Sequence, residues 1–205
     1  MAQNRGLAPA AMRRKRLFDV ALSMLGLLLT GWLIVLAYLL ASLDTGESGF
    51  FRQTRVGKDG KLFQVVKIRT MREDPTYRTT VTTSGDPRIT RLGRFFRRTK
   101  IDELPQLFNV LRGEMSFVGP RPDVPGFADQ LTGEDRILLA VRPGITGPAT
   151  LKFRNEAALL AQQEDPESYN RNIIFPEKVR LNRQYIEQYS FRQDLSYIWR
   201  TVAGG

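Results

Sequence analysis

Two adjacent carboxylates, Asp102 and Glu103, follow a run of arginines and precede an apolar helical pattern that ends at Leu111. The pattern alone predicts a helix N-cap at Asp102, with Pro105 in the first turn, and a cap needs no further function. A carboxylate at a helix N-terminus among several guanidinium groups should also have a lowered pKa, and the same charges would hold an incoming phosphate. One carboxylate could then attack while the other binds a cation, so cap and catalysis both remain open.

The amino-acid composition limits the chemistry around these carboxylates. The 205-residue chain contains no cysteine and no histidine, which excludes disulfides, a thiol nucleophile, a Cys-based zinc site and the usual general base near neutral pH. Any catalysis must use carboxylates, lysine, arginine, tyrosine, hydroxyls, backbone amides or a hard cation held by oxygen. The formal net charge of +10 predicts anionic partners: nucleic acid, phosphorylated ligands or an acidic membrane surface.

Arginines are concentrated in three segments near the carboxylates. Residues 88–100 carry five of them near helical spacing with apolar residues between, a pattern that suits a membrane headgroup layer and equally an ordinary solvated face. Residues 119–122 (GPRP) and 142–147 (RPGITG) are rigid turns that each present an arginine. Each turn alone could be a plain surface feature, but together they predict a pocket for a polyanion.

An uncharged apolar run extends from Val20 to Leu43. As a helix it would be roughly 36 Å long, enough to cross the hydrocarbon core of a bilayer. The basic residues 13–16 precede it, where the positive-inside rule places them in the cytoplasm. A buried core helix or a cleaved signal peptide fits such a run less well, so the sequence predicts a membrane protein.

The remaining segments predict a small domain of α+β class beside the membrane. Strands at Phe50–Val56 and Lys61–Thr70 flank a Gly-Lys-Asp-Gly turn and should form a short hairpin. An irregular loop is expected from about Met71 to Asp86. Amphipathic helices are expected at Pro176–Tyr189 and Phe191–Val202, and their aromatic residues are typical of membrane interfaces and equally of cores.

Several of these segments together carry a family resemblance. The most specific is DELPQLFNVLRGEMSFVGPRP, at residues 102–122. Other matching segments are FFRQTRVGKDGKLFQVVKIRTM, ITRLGRFFRRTK, VRPGITG and YSFRQDLSYIWRTV. From about Arg16 to its C-terminus, the chain resembles the monotopic phosphoglycosyl transferases, the bacterial sugar transferase family that starts assembly of surface glycans.

The resemblance implies transfer of a phosphosugar from a UDP-sugar to a polyprenol phosphate, usually undecaprenyl phosphate, with release of UMP. Asp102 would be the nucleophile that forms an aspartyl-phosphosugar intermediate in a ping-pong scheme. Glu103 would help to position Mg²⁺ or the attacking group, and a Mg²⁺ ion at this pair would neutralise charge on the diphosphate. Substrate-binding positions implied by the match are Lys67, Arg97, Arg121 and Arg154.

The resemblance also implies a re-entrant membrane helix, a helix–break–helix that enters one leaflet and leaves both ends cytoplasmic at the bacterial inner membrane. The implied organisation is a basic arm over 1–16, a re-entrant helix-hairpin over 17–43 and a cytosolic catalytic domain with amphipathic interfacial helices over 44–205. The family commonly breaks the helix with Ser-Pro, whereas this chain has Gly31-Trp32, so the bend is expected at Thr30-Gly31.

Expected partners are the UDP-sugar, the polyprenol phosphate and anionic lipids, with downstream glycosyltransferases and a dimer also compatible; nucleic acid is not expected. Asn182 stands where relatives often carry an acidic residue, whose role cannot be transferred. The alternative function is a non-catalytic basic module that binds anionic lipid or nucleic acid and does not need Asp102. A glycoside hydrolase is disfavoured, because its two acids lie about 5–9.5 Å apart across the bond, unlike adjacent residues at a helix start.

Overall fold

The computed structural model describes residues 6–74 and 85–204 and combines one long apolar helix with a mixed domain of helices and short strands. This mixed content agrees with the predicted α+β class. Most of the predicted irregular loop between Met71 and Asp86 lies outside the described residues. Met71 itself forms an isolated antiparallel bridge with Ile89, which brings the two sides of that loop together.

The long helix, α1 (Pro9–Thr45), contains the whole predicted apolar run. In the part of the chain that the structure describes, it is the one helix long and apolar enough to cross a membrane. One stripe of α1 is buried against the domain: Lys15, Asp19, Ser23, Ile34, Ala37 and Ala41. Large apolar side chains remain exposed elsewhere on the helix, among them Leu25, Leu28, Leu29, Trp32, Leu39 and Leu43. α1 therefore has one side for the domain and an apolar side left for a membrane.

The predicted helix break at Thr30 and Gly31 is wrong, because α1 is helical without interruption through both residues. Glycine keeps the backbone N–H that proline lacks, so the hydrogen-bond ladder of the helix can continue. The hydroxyl of Thr30 donates to the carbonyl oxygen of Gly26 at 2.7 Å, within the helix itself. α1 also begins at Pro9, so the basic residues 13–16 are part of this helix.

The predicted hairpin is confirmed by β1 (Phe50–Val56) and β2 (Leu62–Ile68), which pair antiparallel with Phe50 opposite Ile68. The turn between them contains Gly60 at φ 76°, in the left-handed region that glycine occupies without strain. Ile68, at the end of β2, is buried against α1 and α2. Lys67, the residue before it, therefore lies beside the carboxylate segment.

The carboxylate segment follows the part of the loop that is not described. It consists of α2 (Arg91–Thr99), a 3₁₀ turn (Ile101–Glu103) and α3 (Gln106–Arg112). α2 is capped by Thr90, whose hydroxyl oxygen accepts a hydrogen bond from the backbone N–H of Gly93 at 2.8 Å.

The two arginine turns predicted from the sequence lie side by side. β3 (Ser116–Val118) ends at the GPRP turn and pairs in parallel with β4 (Gly144–Thr146). β4 lies within residues 142–147, so the middle of the second predicted turn is a strand. The backbone N–H of Gly144 donates to the carbonyl oxygen of Pro120 at 2.8 Å, so the turns are also bonded directly. Through this pairing, the backbone of the GPRP turn is held against β4.

The C-terminal third of the chain is helical and confirms the two predicted amphipathic helices. Its helices are α4 (Pro148–Lys152), α5 (Glu156–Leu160), α6 (Pro166–Tyr169), α7 (Phe175–Glu187) and α8 (Phe191–Ala203). The aromatic residues of α7 and α8 include both core residues and residues suited to a membrane interface. Tyr185 belongs to the core at 4% exposure, whereas Trp199 on α8 is 70% exposed.

A buried polar cluster joins the start of α1 to α8. Lys15 Nζ lies 2.7 Å from Asp194 Oδ2 in an ion pair that is almost inaccessible to solvent. The hydroxyls of Tyr185 and Tyr189 donate to the same carboxylate at 2.6 and 3.2 Å. Because each charge is paired and hydrogen-bonded, the cluster fixes α8 against α1 without leaving a buried charge unmatched.

Candidate active site

Asp102 and Glu103, called the acidic pair below, lie in the 3₁₀ turn between α2 and α3. Lys100 adopts a left-handed conformation at φ 60°, which ends α2 and redirects the chain into this turn. Ile101 and Leu104, on either side of the pair, pack into an apolar cluster built by α1, α2 and β2. These apolar anchors hold the backbone of the acidic pair in place.

The interpretation of Asp102 as a helix N-cap is wrong. Lys100 is the N-cap of the 3₁₀ turn and Pro105 is the N-cap of α3, which begins at Gln106, so Asp102 caps neither helix. Pro105 precedes that start and has no N–H of its own, so the first turn has one donor fewer to satisfy. The carboxylate of Asp102 is therefore not used by the helix.

Glu103 is held by two cations through a single carboxylate oxygen. Arg121 Nη2 donates to Glu103 Oε1 at 2.7 Å, and Lys67 Nζ donates to the same oxygen at 3.4 Å. Burial alone would raise the pKa of Glu103, but Arg121 and Lys67 outweigh it and hold that pKa far below its ordinary value. Burial in turn lowers the pKa of Lys67 to about 8, against the attraction of Glu103. Both ion pairs use Oε1, and Oε2 accepts no hydrogen bond from a side chain of residues 6–74 or 85–204.

Asp102 has a different environment from its neighbour. It is 8% exposed, and its Oδ1 is buried with no hydrogen-bond partner among the described residues. Burial raises the pKa of Asp102, and the negative charge of Glu103 raises it further, against the cations nearby. The lowered pKa expected from the sequence is therefore wrong, because burial and the charge of Glu103 outweigh the nearby cations. An unpaired, poorly solvated carboxylate is more basic and is well suited to act as a nucleophile.

The structure brings two of the four predicted substrate-binding residues, Lys67 and Arg121, directly to the acidic pair. Arg97 lies nearby: its Nε donates to Thr70 Oγ1 at 2.9 Å, and burial lowers the pKa of Arg97 although Asp102 acts to raise it. The fourth residue, Arg154, is placed differently. It is exposed, and its guanidinium donates to a backbone carbonyl of α8 at 3.1 Å rather than to either carboxylate.

Two charged residues that the sequence did not single out lie next to Arg121. Arg55 Nη1 donates to the carbonyl oxygen of Pro122 at 3.0 Å, and burial together with Arg121 lowers the pKa of Arg55 to about 10. Burial raises the pKa of Asp123 to about 6, although Lys178 and Arg55 act to lower it. The contact between Arg55 and Pro122 joins residues 67 positions apart, so no local pattern could have indicated it.

Gln106 is a further polar residue that sequence reasoning missed. It is 2% exposed, and its Nε2 has no hydrogen-bond partner in the part of the chain that the structure describes. Leaving a buried amide unpaired costs about 1–3 kcal/mol, and native proteins rarely tolerate this without a reason. A glutamine in a helix start gives no signal of such a role, because its pattern matches that of any buried helix residue.

The acidic pair and its surroundings suit attack on a phosphate. One carboxylate is unpaired, the other is fixed, and Lys67 and Arg121 supply positive charge beside them. The donor set also fits Mg²⁺, which binds one or two carboxylates and completes its shell with water and substrate phosphate oxygens. Within residues 6–74 and 85–204, no three acidic side chains gather into a metal cluster.

Exposed side chains on α2 and α8 suit a membrane interface. α2 exposes Arg94 and Arg98 together with Phe95, although the adjacent Phe96 is buried in the core. α8 exposes Leu195, Trp199 and Val202 at helical spacing. Basic and aromatic side chains together are typical of helices that lie at the headgroup layer.

Comparison with known proteins agrees with the motifs. The family model described as bacterial sugar transferase matches residues 10–204. A UDP-glucose:undecaprenyl-phosphate glucose-1-phosphate transferase of Caulobacter vibrioides is 38% identical over 194 residues, which cover 92% of this chain and 68% of that protein. A putative undecaprenyl-phosphate N-acetylgalactosaminyl 1-phosphate transferase of Bacillus subtilis is 44% identical over 121 residues, 58% of this chain and 68% of that protein.

Some relatives are much longer than this chain. An undecaprenyl-phosphate glucose phosphotransferase of Komagataeibacter xylinus is 37% identical over 98% of this chain, yet the match covers 37% of that protein. The region that the family model matches includes the acidic pair and the cations beside it. The chain belongs to the bacterial sugar transferase family, a family of phosphoglycosyl transferases.

Proposed function

We propose that the protein transfers a phosphosugar from a UDP-sugar to a polyprenol phosphate, undecaprenyl phosphate by analogy with its relatives, and releases UMP. The relatives named above act on undecaprenyl phosphate by their names. The observation that carries the proposal is that the two residues of the acidic pair have different environments. Glu103 is tied to Arg121 and Lys67, whereas Asp102 is left unpaired and basic.

In the first half-reaction, a carboxylate oxygen of Asp102 forms a bond to the β-phosphorus of the UDP-sugar. The bond from that phosphorus to the bridging oxygen breaks, and UMP leaves with the oxygen and its electron pair. Lys67 and Arg121 hold phosphate oxygens in line for this exchange and offset their negative charge. The product is an aspartyl-phosphosugar on Asp102.

In the second half-reaction, a phosphate oxygen of the polyprenol phosphate bonds to the same phosphorus. The bond from phosphorus to Asp102 breaks and restores the free carboxylate, and the lipid carries a diphosphate-linked sugar. Phosphoryl transfer depends on position and charge more than on proton transfer. A chain without histidine can therefore carry out both steps.

Mg²⁺ would be held at this site by the carboxylates of Glu103 and Asp102. Bound there, it would neutralise charge on the diphosphate. We therefore expect activity to require Mg²⁺ and to be lost on addition of a chelator.

We also propose that α1 lies in one leaflet and leaves both of its ends on the cytoplasmic side. Near its start, Lys15 is paired with Asp194 of the domain, and near its end Ala37 and Ala41 pack against Ile68 of the same domain. A helix that crossed a hydrocarbon core of about 30 Å would carry one end to the opposite surface, out of reach of this domain. The continuous contact of α1 with one domain therefore supports a monotopic arrangement.

The test is UMP release by detergent-purified protein with Mg²⁺, undecaprenyl phosphate and a panel of UDP-sugars. We expect at least one sugar to be turned over by the wild type and none by Asp102→Asn. Asp59→Asn, an identical change in the exposed hairpin turn, is the matched control and should keep full activity. Absence of UMP with every sugar would contradict the proposal.

A second function, a non-catalytic module on anionic lipid, is favoured by the exposed arginines of α2 beside Phe95. It predicts that Asp102→Asn has no effect in any assay, while removal of Arg94 and Arg98 abolishes binding to vesicles that contain anionic lipid. The transferase predicts instead that Asp102→Asn stops turnover and leaves vesicle binding intact.

A further inference from the structure

Two buried polar atoms without partners occur on one turn of the chain. Oδ1 of Asp102 is an acceptor and Nε2 of Gln106 is a donor, and neither has a hydrogen bond among the described residues. Both side chains are more than nine-tenths buried. An acceptor and a donor of complementary type, both unsatisfied at the reacting centre, point to a contact that forms during the reaction.

The backbone places these two side chains within reach of each other. Leu104 and Pro105 between them have right-handed helical dihedral angles, so the 3₁₀ turn leads directly into α3. Residues four apart on a helix are neighbours on its surface, with Cβ atoms about 5–6 Å apart. Gln106 follows Asp102 by about one helical turn, a separation at which two side chains can meet on the same side of the segment.

We propose that Gln106 is a positioning residue for the nucleophile: its Nε2 donates a hydrogen bond to Asp102 Oδ1 and thereby directs Oδ2 at the phosphorus. This inference rests on the proposed function. It assigns the two oxygens of Asp102 different fates. Oδ2 forms the bond to phosphorus as the bridging oxygen leaves with UMP, and Oδ1 becomes the carbonyl oxygen of the acyl phosphate.

The assignment follows from which oxygen is accessible. Oδ1 is the buried oxygen of Asp102, so an incoming phosphate cannot reach it without displacing the surrounding residues. A hydrogen bond to Oδ1 would fix the plane of the carboxylate, because Oδ1 has no other hydrogen-bond partner among the described residues. The amide is the right donor for this task because it is neutral and leaves the charge of the nucleophile unchanged.

The experiment compares Gln106→Met, which keeps the volume but removes the donor, with Leu107→Met. This control introduces the same methionine at the next residue of α3 without removing a hydrogen-bond donor. We expect Gln106→Met to lower the rate of the UMP burst and kcat about 10- to 100-fold, with KM for the UDP-sugar changed less than about twofold. Leu107→Met should keep both constants. Similar thermal unfolding of the two variants would show that the fold is preserved.

A second variant makes the result independent of packing. Gln106→Glu keeps the shape of the side chain, but it has a donor only when the new carboxyl group is protonated. We expect the activity of Gln106→Glu, divided by that of Gln106→Met at the same pH, to rise as the pH falls. A purely structural role for Gln106 predicts that the ratio changes only as the folded fraction of Gln106→Glu changes, which thermal unfolding of this variant at each pH would show.

The proposal is overturned if Gln106→Met retains a normal UMP burst, if its defect is confined to KM, or if the activity ratio does not change with pH. These outcomes differ from failure of the proposed function. In that case the wild-type protein itself would release no UMP with any UDP-sugar, or Asp102→Asn would remain active.

Discussion

At the level of single residues, two adjacent carboxylates acquire opposite properties from their partners. Glu103 receives Arg121 and Lys67 on one oxygen and becomes a fixed anion. Asp102 receives no hydrogen bond from the described residues and has a raised pKa because it is buried. The arrangement separates a permanent charge that can hold a cation from a basic carboxylate that can attack.

The pKa of Lys67 predicts how activity depends on pH. Burial lowers this pKa to about 8, so the ammonium group loses its charge as the pH rises through that value. We expect kcat/KM for the UDP-sugar to fall above about pH 8, because a neutral lysine no longer holds phosphate. Lys67→Arg should move this decline to higher pH, since arginine stays protonated. A pH–rate profile that is flat up to pH 10 for the wild type would contradict the assignment.

At the level of elements, close backbone contact holds α2 against the segment after β2. A Cβ atom at Gly93 would overlap the carbonyl oxygen of Thr70, and the hydroxyl of Thr70 accepts a hydrogen bond from Arg97. The glycine is therefore needed to place α2, and with it Arg97, beside the acidic pair.

We expect Gly93→Ala to destabilise the protein by about 1–3 kcal/mol, because the backbone of Thr70 must move, and to lower kcat/KM as Arg97 shifts. Denaturant unfolding in detergent and UMP release would measure the two effects. Gly31→Ala is the matched control: nothing lies within 4 Å of a Cβ there, and alanine favours the unbroken helix. Loss of activity in Gly31→Ala would show that α1 needs a bend which this structure lacks.

The ion pair between α1 and α8 predicts a second effect on stability. Lys15→Met leaves Asp194 buried without its cation, so we expect a loss of about 3 kcal/mol or more. Arg180→Met, which removes an exposed ion pair with Glu177, should change stability little. Equal effects of the two changes on unfolding would contradict the role given to Lys15.

At the level of the whole molecule, the contacts of α1 predict its topology. Both halves of the helix pack on one basic domain, so both ends should lie on the same side of the membrane. Cysteines introduced at position 3 and in the C-terminal tail provide the test, because the chain has no cysteine of its own. We expect an impermeant thiol reagent to label neither site in intact cells and both in inverted vesicles. Labelling from opposite sides would exclude the monotopic arrangement.

The sequence was sufficient for those parts of the protein that depend on local patterns. Alternation and a glycine turn predicted the hairpin, apolar length predicted α1, and a long motif predicted the family. Properties that depend on distant contacts were missed or wrong. The pKa of Asp102 follows from its burial in the folded chain and from the charge of Glu103, and Arg55 meets Pro122 only in the folded chain.

The most direct test of the central claim is mass spectrometry of the protein after brief incubation with a UDP-sugar and Mg²⁺, without the lipid acceptor. We predict a mass increase equal to one phosphosugar, located on the peptide that contains Asp102, and its disappearance when undecaprenyl phosphate is added. An unmodified Asp102 in protein that is turning over substrate, or a modification that persists in Asp102→Asn, would contradict the account.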